Sequence, residues 1–576
     1  MSIEDKVIDR SADLSQPLEN LGPDETLKAH SDYLRGTIAR ALVDPITGSV
    51  PFEDNKLMKF HGIYQQDDRD IRDERRRQKL EPDYRFMIRV RLPGGVCTTE
   101  QWLKIDSLAQ QHGNNTVRLT TRQTFQFHWV VKEDVRPTIQ GLHDVLLDTI
   151  AACGDDSRGV MCTADPRDSE VHAELARLSK QVSDHVIPKT RAYHEIWYGA
   201  ERIATSEPEE PFYGPTYLPR KFKIGFVLPP SNDIDVYTQD LGFIAIAGPD
   251  GVEGFNVAIG GGMGRTDNEP NTYPRLASVV GFIPKDVLVA CTDAVMAVQR
   301  DYGNRKERAR ARFKYTIDDK GLDWITQEIE RRMGRAFEPA RPFNFTSNGD
   351  QYGWHEKSNG RFNYTLYIQN GRVSNFPGRA IMDGLRAIAQ VHKGHFRLTP
   401  NQNLIIADVA AEDRPAIDAL LAEHGLSESN VGSALRLNSI ACVALPTCAL
   451  AMAEAERYLP DLVSKIEKLL EANGLLDEPI TIRMSGCPNG CSRPYVAEIA
   501  LTGRAPGKYN LYVGGGFHGE RLNRMIGENI GEEKILEILG DLLGRFARER
   551  QPGEHFGDFL HRSEAIEAAQ RLGPHE

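Results

Sequence analysis

Two long copies of one pattern limit what this chain can fold into more than any other feature. RLPGGVCTTEQWLKIDSLAQQHGNNTVRLTTRQTFQF (91–127) is echoed by QNGRVSNFPGRAIMDGLRAIAQVHKGHFRLTPNQNLI (369–405). Each copy reads as strand, Gly/Pro turn, helix, strand. Thr98 and Gln101 predict a capping box at the start of the first helix, and Gly113 and Gly394 follow the two helices where a closing glycine belongs. A second pair of echoes lies downstream, GFNVAIGGGMG (254–264) and YNLYVGGGFHG (509–519). Short periodic repeats would build a solenoid. Two long copies instead predict an α+β fold of two related halves, with pseudo-twofold symmetry and a shared central site. At 576 residues the chain exceeds what one core serves, so two to four domains are expected.

The formal net charge of -12 points away from a general nucleic-acid binder, so any anion site must be a local cluster of cations. No apolar run is long enough to span a membrane. The beginning of the chain, MSIEDKVIDRSADLSQ, has no apolar core of a secretory signal, and eight cysteines are too few for a disulfide scaffold. A reducing cytoplasm is the expected setting, where grouped cysteines bind metal or do chemistry. Residues 1 to about 25 lack periodicity and read as a mobile arm. Residues 60–80, FHGIYQQDDRDIRDERRRQKL, read as a solvated linker or helix.

Alternation along strands locates the cations. In VRLTTRQTFQFH, read as one strand, Arg118, Thr120, Arg122, Thr124, Gln126 and His128 share a face. The second copy places Arg397, Thr399, Asn401 and Asn403 there, so Arg122 is matched by Asn401 and the charge is not duplicated. Arg89 and Arg91 share a face in FMIRVRLPGG, as do Lys221 and Lys223 in YLPRKFKIGFVLP. One such pair is ordinary for a solvated strand; three pairs in one half point to a single anion site. The run NRKERARARFKY (304–315) fits equally a surface helix or a clamp for carboxylates.

Four of the eight cysteines are grouped. Cys442 and Cys448 lie in SIACVALPTC, and Cys487 and Cys491 in MSGCPNGC. Between them a helix with Leu462, Ile466 and Leu469 on one stripe ends at Asn473-Gly474, and ITIRM (480–484) reads as a strand. C-x5-C followed by C-x3-C fits a four-iron cluster, whereas zinc sites favour C-x2-C pairs. Amides around Gly486 and Gly490 are placed to donate to cluster sulfides. Cys97, Cys153, Cys162 and Cys291 are scattered singly and read as ordinary buried residues.

The cysteine pattern with GCPNGC, the doubled RLT…Q segment and TYLPRKFK together resemble the sirohaem-containing sulfite and nitrite reductases. HSDYLRGTI, FHGIYQQDDRDIRDER and RLPGGV narrow the resemblance to the haemoprotein (beta) subunits of bacterial NADPH-dependent sulfite reductases, over residues 27–576. The resemblance implies ferredoxin-like modules plus two α/β domains that bind sirohaem and the cluster. The expected division is an arm and linker at 1–80, paired modules at 81–150 plus 353–427, a substrate-side sirohaem domain at 151–352, and a cluster and proximal sirohaem domain at 428–576. It implies a [4Fe–4S] cluster on Cys442, Cys448, Cys487 and Cys491, with Cys491 also the proximal ligand of sirohaem iron. Sulfite binding falls on Arg89, Arg158, Lys221 and Lys223. Sirohaem binding falls on Arg118, Arg122, Asn489, Arg310, Arg312 and Lys314. Arg312 stands where relatives have lysine, and Ser492 where glycine is common.

The implied reaction is the six-electron reduction of sulfite to hydrogen sulfide, as in sulfur assimilation and cysteine biosynthesis. An anion approaching a cofactor with eight carboxylates needs converging cations. Lysines can also deliver protons, whereas arginines only position and polarise. GGGMG and GGGFHG lack the context of a dinucleotide fingerprint. Electrons are therefore expected from a partner; the resemblance implies a flavoprotein (alpha) subunit carrying FAD and FMN that oxidises NADPH, which the arm could help to dock. The alternatives are a ferredoxin-dependent sulfite or nitrite reductase and, from a different class, an iron–sulfur lyase. Lyase clusters usually leave one iron without a cysteine, so four cysteines speak against the last.

Overall fold

The computed structural model describes residues 10–167, 169–189, 197–198, 201–202 and 210–566. Two five-stranded sheets carry the repeated modules. The first runs Ile63–Asp67, Tyr84–Arg89, Phe125–Val130, Val117–Leu119 and Arg372–Val373; the second runs Gly353–Glu356, Phe362–Leu366, Leu404–Val409, His395–Leu398 and Val96–Thr98. The last strand of each sheet comes from the other copy. Arg372 pairs with Arg118, and Cys97 pairs with Phe396. This reciprocal exchange fuses the halves through backbone hydrogen bonds.

The turn before each exchanged strand is also duplicated. Gly95 (φ 73°) and Gly371 (φ 72°) both take the left-handed conformation. A Cβ at Gly95 would lie 2.6 Å from the Leu398 carbonyl, and one at Gly371 would lie 2.3 Å from the Leu119 carbonyl. A side chain at either position would push the two halves apart.

Helices Thr99–His112 and Ile381–Val391 pack over the sheets around a common core. Trp102 sits at its centre, 5.6 Å from the Phe125 ring and 4.9 Å from the Phe396 ring. The expected capping box forms: the Gln101 amide donates to Thr98 Oγ1 at 3.1 Å, and the Thr98 amide to Gln101 Oε1 at 3.0 Å. Gly113 closes the first helix, but the second already ends at His392.

Residues 117–128 form a hairpin, not the single strand expected. Val117–Leu119 turns back through Thr120–Thr124 into Phe125–Val130, and the second copy does the same. The turns match atom for atom. Thr120 N donates to Thr124 O at 3.0 Å and Thr399 N to Asn403 O at 2.9 Å, with Gln123 and Gln402 at φ 54° and 71°.

The two larger domains also share one topology. Met161–Cys162, Ile224–Val227, Leu241–Gly248, Gly251–Ile259 and Ser278–Pro284 form the first sheet, and Ser439–Ala441, Ile482–Ser485, Ile499–Ala505, Lys508–Val513 and Arg524–Ile530 the second. In both, the first three strands are parallel and the last two antiparallel. Each has its own apolar core. In the second, helix Leu459–Ala472 buries Leu462 and Ile466, with Leu469 at its rim.

The 1–80 arm and linker needs correction over its described part. Helices Pro23–Ala29 and Phe52–Met58 pack onto the first half, with Leu34, Leu57 and Met58 buried, and Ile63–Asp67 is an edge strand. Polar residues anchor the segment: Lys28 pairs with Glu25 at 2.7 Å, and Arg305 also binds Glu25. The helix Arg72–Arg77 and the residues beside it are solvated as expected. Residues 1–9 of the expected arm lie outside the described residues.

Candidate functional site

The four grouped cysteines meet on two loops that leave adjacent parallel strands of the second α/β domain. Ser439–Ala441 delivers Cys442, and Ile482–Ser485 delivers Cys487 and Cys491. The loops are tied by Met452 N and Ala453 N donating to Gly486 O at 2.7 and 3.1 Å. Gly486 N donates to Cys442 Sγ at 3.2 Å, and Asn489 Nδ2 reaches Cys487 Sγ at 3.5 Å. Ser492 fits its position because its hydroxyl lies 2.8 Å from that of Ser485.

Burial raises the thiol pKa of Cys442, Cys448 and Cys487, the last to about 12, and each is raised further by Cys491. Four sulfurs within electrostatic reach of one another, facing two amide donors, fit a polynuclear centre that would take them as thiolates and release their protons. Among the described residues, no three His, Cys, Asp or Glu side chains close on a single ion. Each thiolate of a four-iron cluster binds a different iron, so its sulfurs stand further apart than the ligands of one ion.

The first half faces this loop from across the domain junction. Arg265 N donates to Pro488 O at 3.1 Å, and Thr121 Oγ1 donates to Cys491 O at 3.0 Å. Arg89 ends its strand opposite Gln126. Arg158 is buried, and its amide donates to Phe222 O at 2.8 Å. Phe222 turns into the core, while Lys221 and Lys223 flank it half-buried with no hydrogen bond from either ammonium among the described residues. Burial and then Arg220, Arg312 and Arg158 lower the Lys221 pKa to about 7. Burial, Arg122 and Lys221 push Lys223 well below the ordinary lysine value. Such crowded cations, without carboxylates enough to neutralise them, fit a site that receives an anion.

The residues expected at sirohaem divide into two groups. Arg122 spans the junction, donating from Nη1 to Gln239 Oε1 at 2.9 Å and from Nη2 to Gly159 O at 2.7 Å, and its buried Nε has no partner among the described residues. Arg312 donates Nη2 to Asp240 at 2.9 Å and also has a buried Nε with no partner among the described residues. Both keep a donor for a further acceptor, as does Asn489. Arg118, Arg310 and Lys314 are engaged by the protein. Arg118 binds Glu456 and donates to Ala441 O at 2.7 Å. Arg310 binds Asp319 at 2.6 Å. Lys314 donates to the carbonyls of Gly262 at 3.0 Å, Gly264 at 2.8 Å and Tyr273. The 304–315 run is neither a surface helix nor one clamp: Arg305 and Arg308 bind Glu25 and Asp155 instead.

Spacing alone missed Thr121, Arg220 and Arg493. Arg493 donates Nη1 to Thr121 O at 2.8 Å and Nη2 to Pro400 O at 3.1 Å, gripping the matching point of both hairpin turns. Arg220 adjoins Lys221 in the quoted TYLPRKFK, but nothing in its local pattern marks a role.

Arg122→Asn is expected to cost about 1–3 kcal/mol, since it strands the Gly159 carbonyl and Gln239. It should also weaken retention of the expected sirohaem. Thermal unfolding and haem content check this; an unchanged melting point with full haem content would contradict it.

The "Nitrite/Sulfite reductase ferredoxin-like half domain" matches residues 77–145 and 355–424. The "Nitrite and sulphite reductase 4Fe-4S domain" matches 179–337, in the first α/β domain. The chain is 69% identical over 559 residues to the "Sulfite reductase [NADPH] hemoprotein beta-component" of Nitrosomonas europaea, covering 97% of each chain. The protein of the same description from Geobacillus kaustophilus is 57% identical, with 94% of this chain and 95% of the relative covered. The solved structure of Mycobacterium tuberculosis NirA matches with a TM-score of 0.77 at 25% identity, covering 95% of this chain and 97% of that one.

Proposed function

The chain belongs to the nitrite and sulphite reductase family, and we propose that it reduces sulfite to hydrogen sulfide in six electrons, taken from an NADPH-oxidising flavoprotein. The observation that carries this reading is the meeting of two unlike surfaces at one junction. Four neighbouring cysteines lie on one side, and four cations lie on the other. Sirohaem and a [4Fe–4S] cluster, bound there, would relay those electrons and provide the iron at which sulfite is reduced. The residues that would hold them are Cys442, Cys448, Cys487 and Cys491 for the cluster, Cys491 also for the haem iron, and Arg122, Arg312 and Asn489 for haem carboxylates. In the partner, FAD and FMN are the carriers we assign between NADPH and this chain. No helix among the described residues is long and apolar enough to cross a membrane.

The protein's part is to bind, orient and protonate. Arg89 and Arg158 hold sulfite oxygens, as planar guanidinium groups that position and polarise rather than donate protons. Lys221 and Lys223 hold protons that can be given up as each oxygen leaves as water. Burial lowers the affinity of both lysines for protons, which makes them better donors than ordinary lysines.

Lys221 gives this a pH signature. Its lowered pKa means that, before an anion arrives, it is protonated below about 7 and loses its charge as pH rises through that value. Sulfite binding favours the charged form, so binding above about 7 draws in a proton and weakens with pH. Lys221→Arg cannot lose its charge and should flatten the rise of sulfite KM above this pH, while lowering kcat because a proton donor is gone. A KM profile identical to that of the parent protein would refute the assignment. The reaction itself is tested by reconstituting the chain with its flavoprotein, NADPH and sulfite and measuring sulfide. A preparation that shows haem absorption but forms no sulfide would overturn the reading.

A further inference from the structure

Two arginines assigned to sulfite, Arg89 and Arg158, come from distant parts of the chain, yet one short loop seats both. Residues 151–154 follow an exposed turn and run buried behind the site, with Ala151 and Gly154 at φ 55° and 104°. Arg158 donates Nε to Gly154 O at 3.1 Å and Nη1 to Ala152 O at 3.4 Å. Arg89 donates Nη1 to the sulfur of Cys153, between those two carbonyls, at 3.2 Å. Three consecutive residues thus each contribute one acceptor to the substrate guanidinium groups.

Cys153 is the only one of the three whose contribution is a side chain, and it is fully buried. The other side of Arg89 is held by Gln126, whose amide oxygen, turned toward it, accepts from Nε at 3.1 Å and from Nη2 at 2.5 Å. The Tyr64 hydroxyl faces the same sulfur. Gly154 is required for the seat, because a Cβ there would lie 2.7 Å from the Phe60 ring and 2.9 Å from Asp156 Oδ2. Isolated in the sequence, Cys153 has no motif to distinguish it from Cys97 or Cys291.

We propose that Cys153 is a positioning residue for sulfite binding: its sulfur fixes the Arg89 guanidinium against Gln126, so that Arg89 and Arg158 meet the anion at a set separation. The proposal rests on the reading of Arg89 as a sulfite ligand. It adds no chemical step for the thiol, which acts only as a hydrogen-bond acceptor. A guanidinium with one side unheld would spend part of its time in other rotamers, and the bound anion would have to order it again.

The test is a sulfite titration of the oxidised holoenzyme, followed by the haem absorption bands, beside steady-state kinetics. Cys153→Ala should raise the sulfite Kd and KM about tenfold, the loss of one hydrogen bond to a charged group. It should change kcat by less than about twofold, since the protonating lysines are untouched. Cys153→Ser keeps an acceptor and should recover most of the affinity. Cys291→Ala, another fully buried cysteine in helix Leu288–Tyr302, should leave Kd as it was. Arg89→Ala separates the layers: if it leaves Kd unchanged, the sulfite-ligand reading falls and takes the proposal with it. If Arg89→Ala weakens binding but Cys153→Ala does not, only the proposal falls. Equal loss in the Ala and Ser variants would assign Cys153 to packing and overturn it too.

Discussion

Cys487→Ser is expected to yield a folded protein with neither cluster nor haem and no measurable sulfite reduction. The Cys487 sulfur is buried, accepts from the Asn489 amide at 3.5 Å and shares its surroundings with three other thiols. A serine hydroxyl ionises far less readily than a thiol and is a poor ligand for iron, so a four-iron cluster would lack one corner. The haem is expected to leave with it, because Cys491 is assigned to both. The fold should persist because its loop ties are backbone contacts: Cys442 N to Met484 O at 3.0 Å, and Met452 N to Gly486 O at 2.7 Å. Iron and acid-labile sulfide content, the visible spectrum and thermal unfolding together decide. A Cys487→Ser protein with full iron and sulfide would remove this residue from the ligand set.

The cysteines were legible because their ligand loops are short and local: both pairs are visible within eight residues of sequence. The duplication was legible for a similar reason, since repeats can be matched without knowing what they pair with. The exchange of Val96–Thr98 and Arg372–Val373 was not, because strand partners are chosen across hundreds of residues and leave no local mark. The hairpin at 117–130 looks like one strand in the sequence because its turn lacks the usual Asn-Gly or Asp-Gly. Gln123 takes the left-handed conformation instead, held by its side chain donating to Cys162 O at 2.8 Å and Leu398 O at 3.0 Å.

Charge was the least legible property. Arg310, Arg312 and Lys314 look alike in sequence, but only the fold reveals Asp319, Asp240 and three loop carbonyls beside them. The N-terminal segment misled for the same reason. Glu25 and Lys28 fall in the expected arm and linker, yet burial is possible for them because Arg305 and Asp155 complete the network. Arg158 shows the converse: it lies in a loop with no alternation to mark it, and its partners are backbone carbonyls.

Asp235→Ala is expected to destabilise the protein by about 3–5 kcal/mol and to loosen the cluster, because Asp235 is the fully buried counter-charge of a two-arginine clamp. Arg483 binds it at 2.6 Å, and Arg493 binds it from the loop that follows Cys491. Asp235 and Arg493 occupy corresponding places in the two halves. Each is left-handed, at φ 49° and 54°, and each opens a short helix, Val236–Thr238 or Pro494–Val496. An ion pair between equivalent positions lies where the pseudo-twofold axis must pass, and Arg493 extends it to both hairpin turns. Removing the carboxylate would leave two buried guanidinium groups facing each other. Removing Arg493 as Arg493→Met would leave Asp235 with Arg483 and should cost less. Although burial raises the Asp235 pKa, Arg483 and Arg493 outweigh it and hold it below 3.8. Its stabilising contribution is therefore complete above that unfolded-state value and is lost as pH falls toward the folded-state pKa. Denaturant unfolding of the parent protein, both single variants and the double variant would measure the coupling, and the haem and cluster spectrum of each would report the loop. Additive losses with unchanged spectra would mean that the two halves are not held together through this pair.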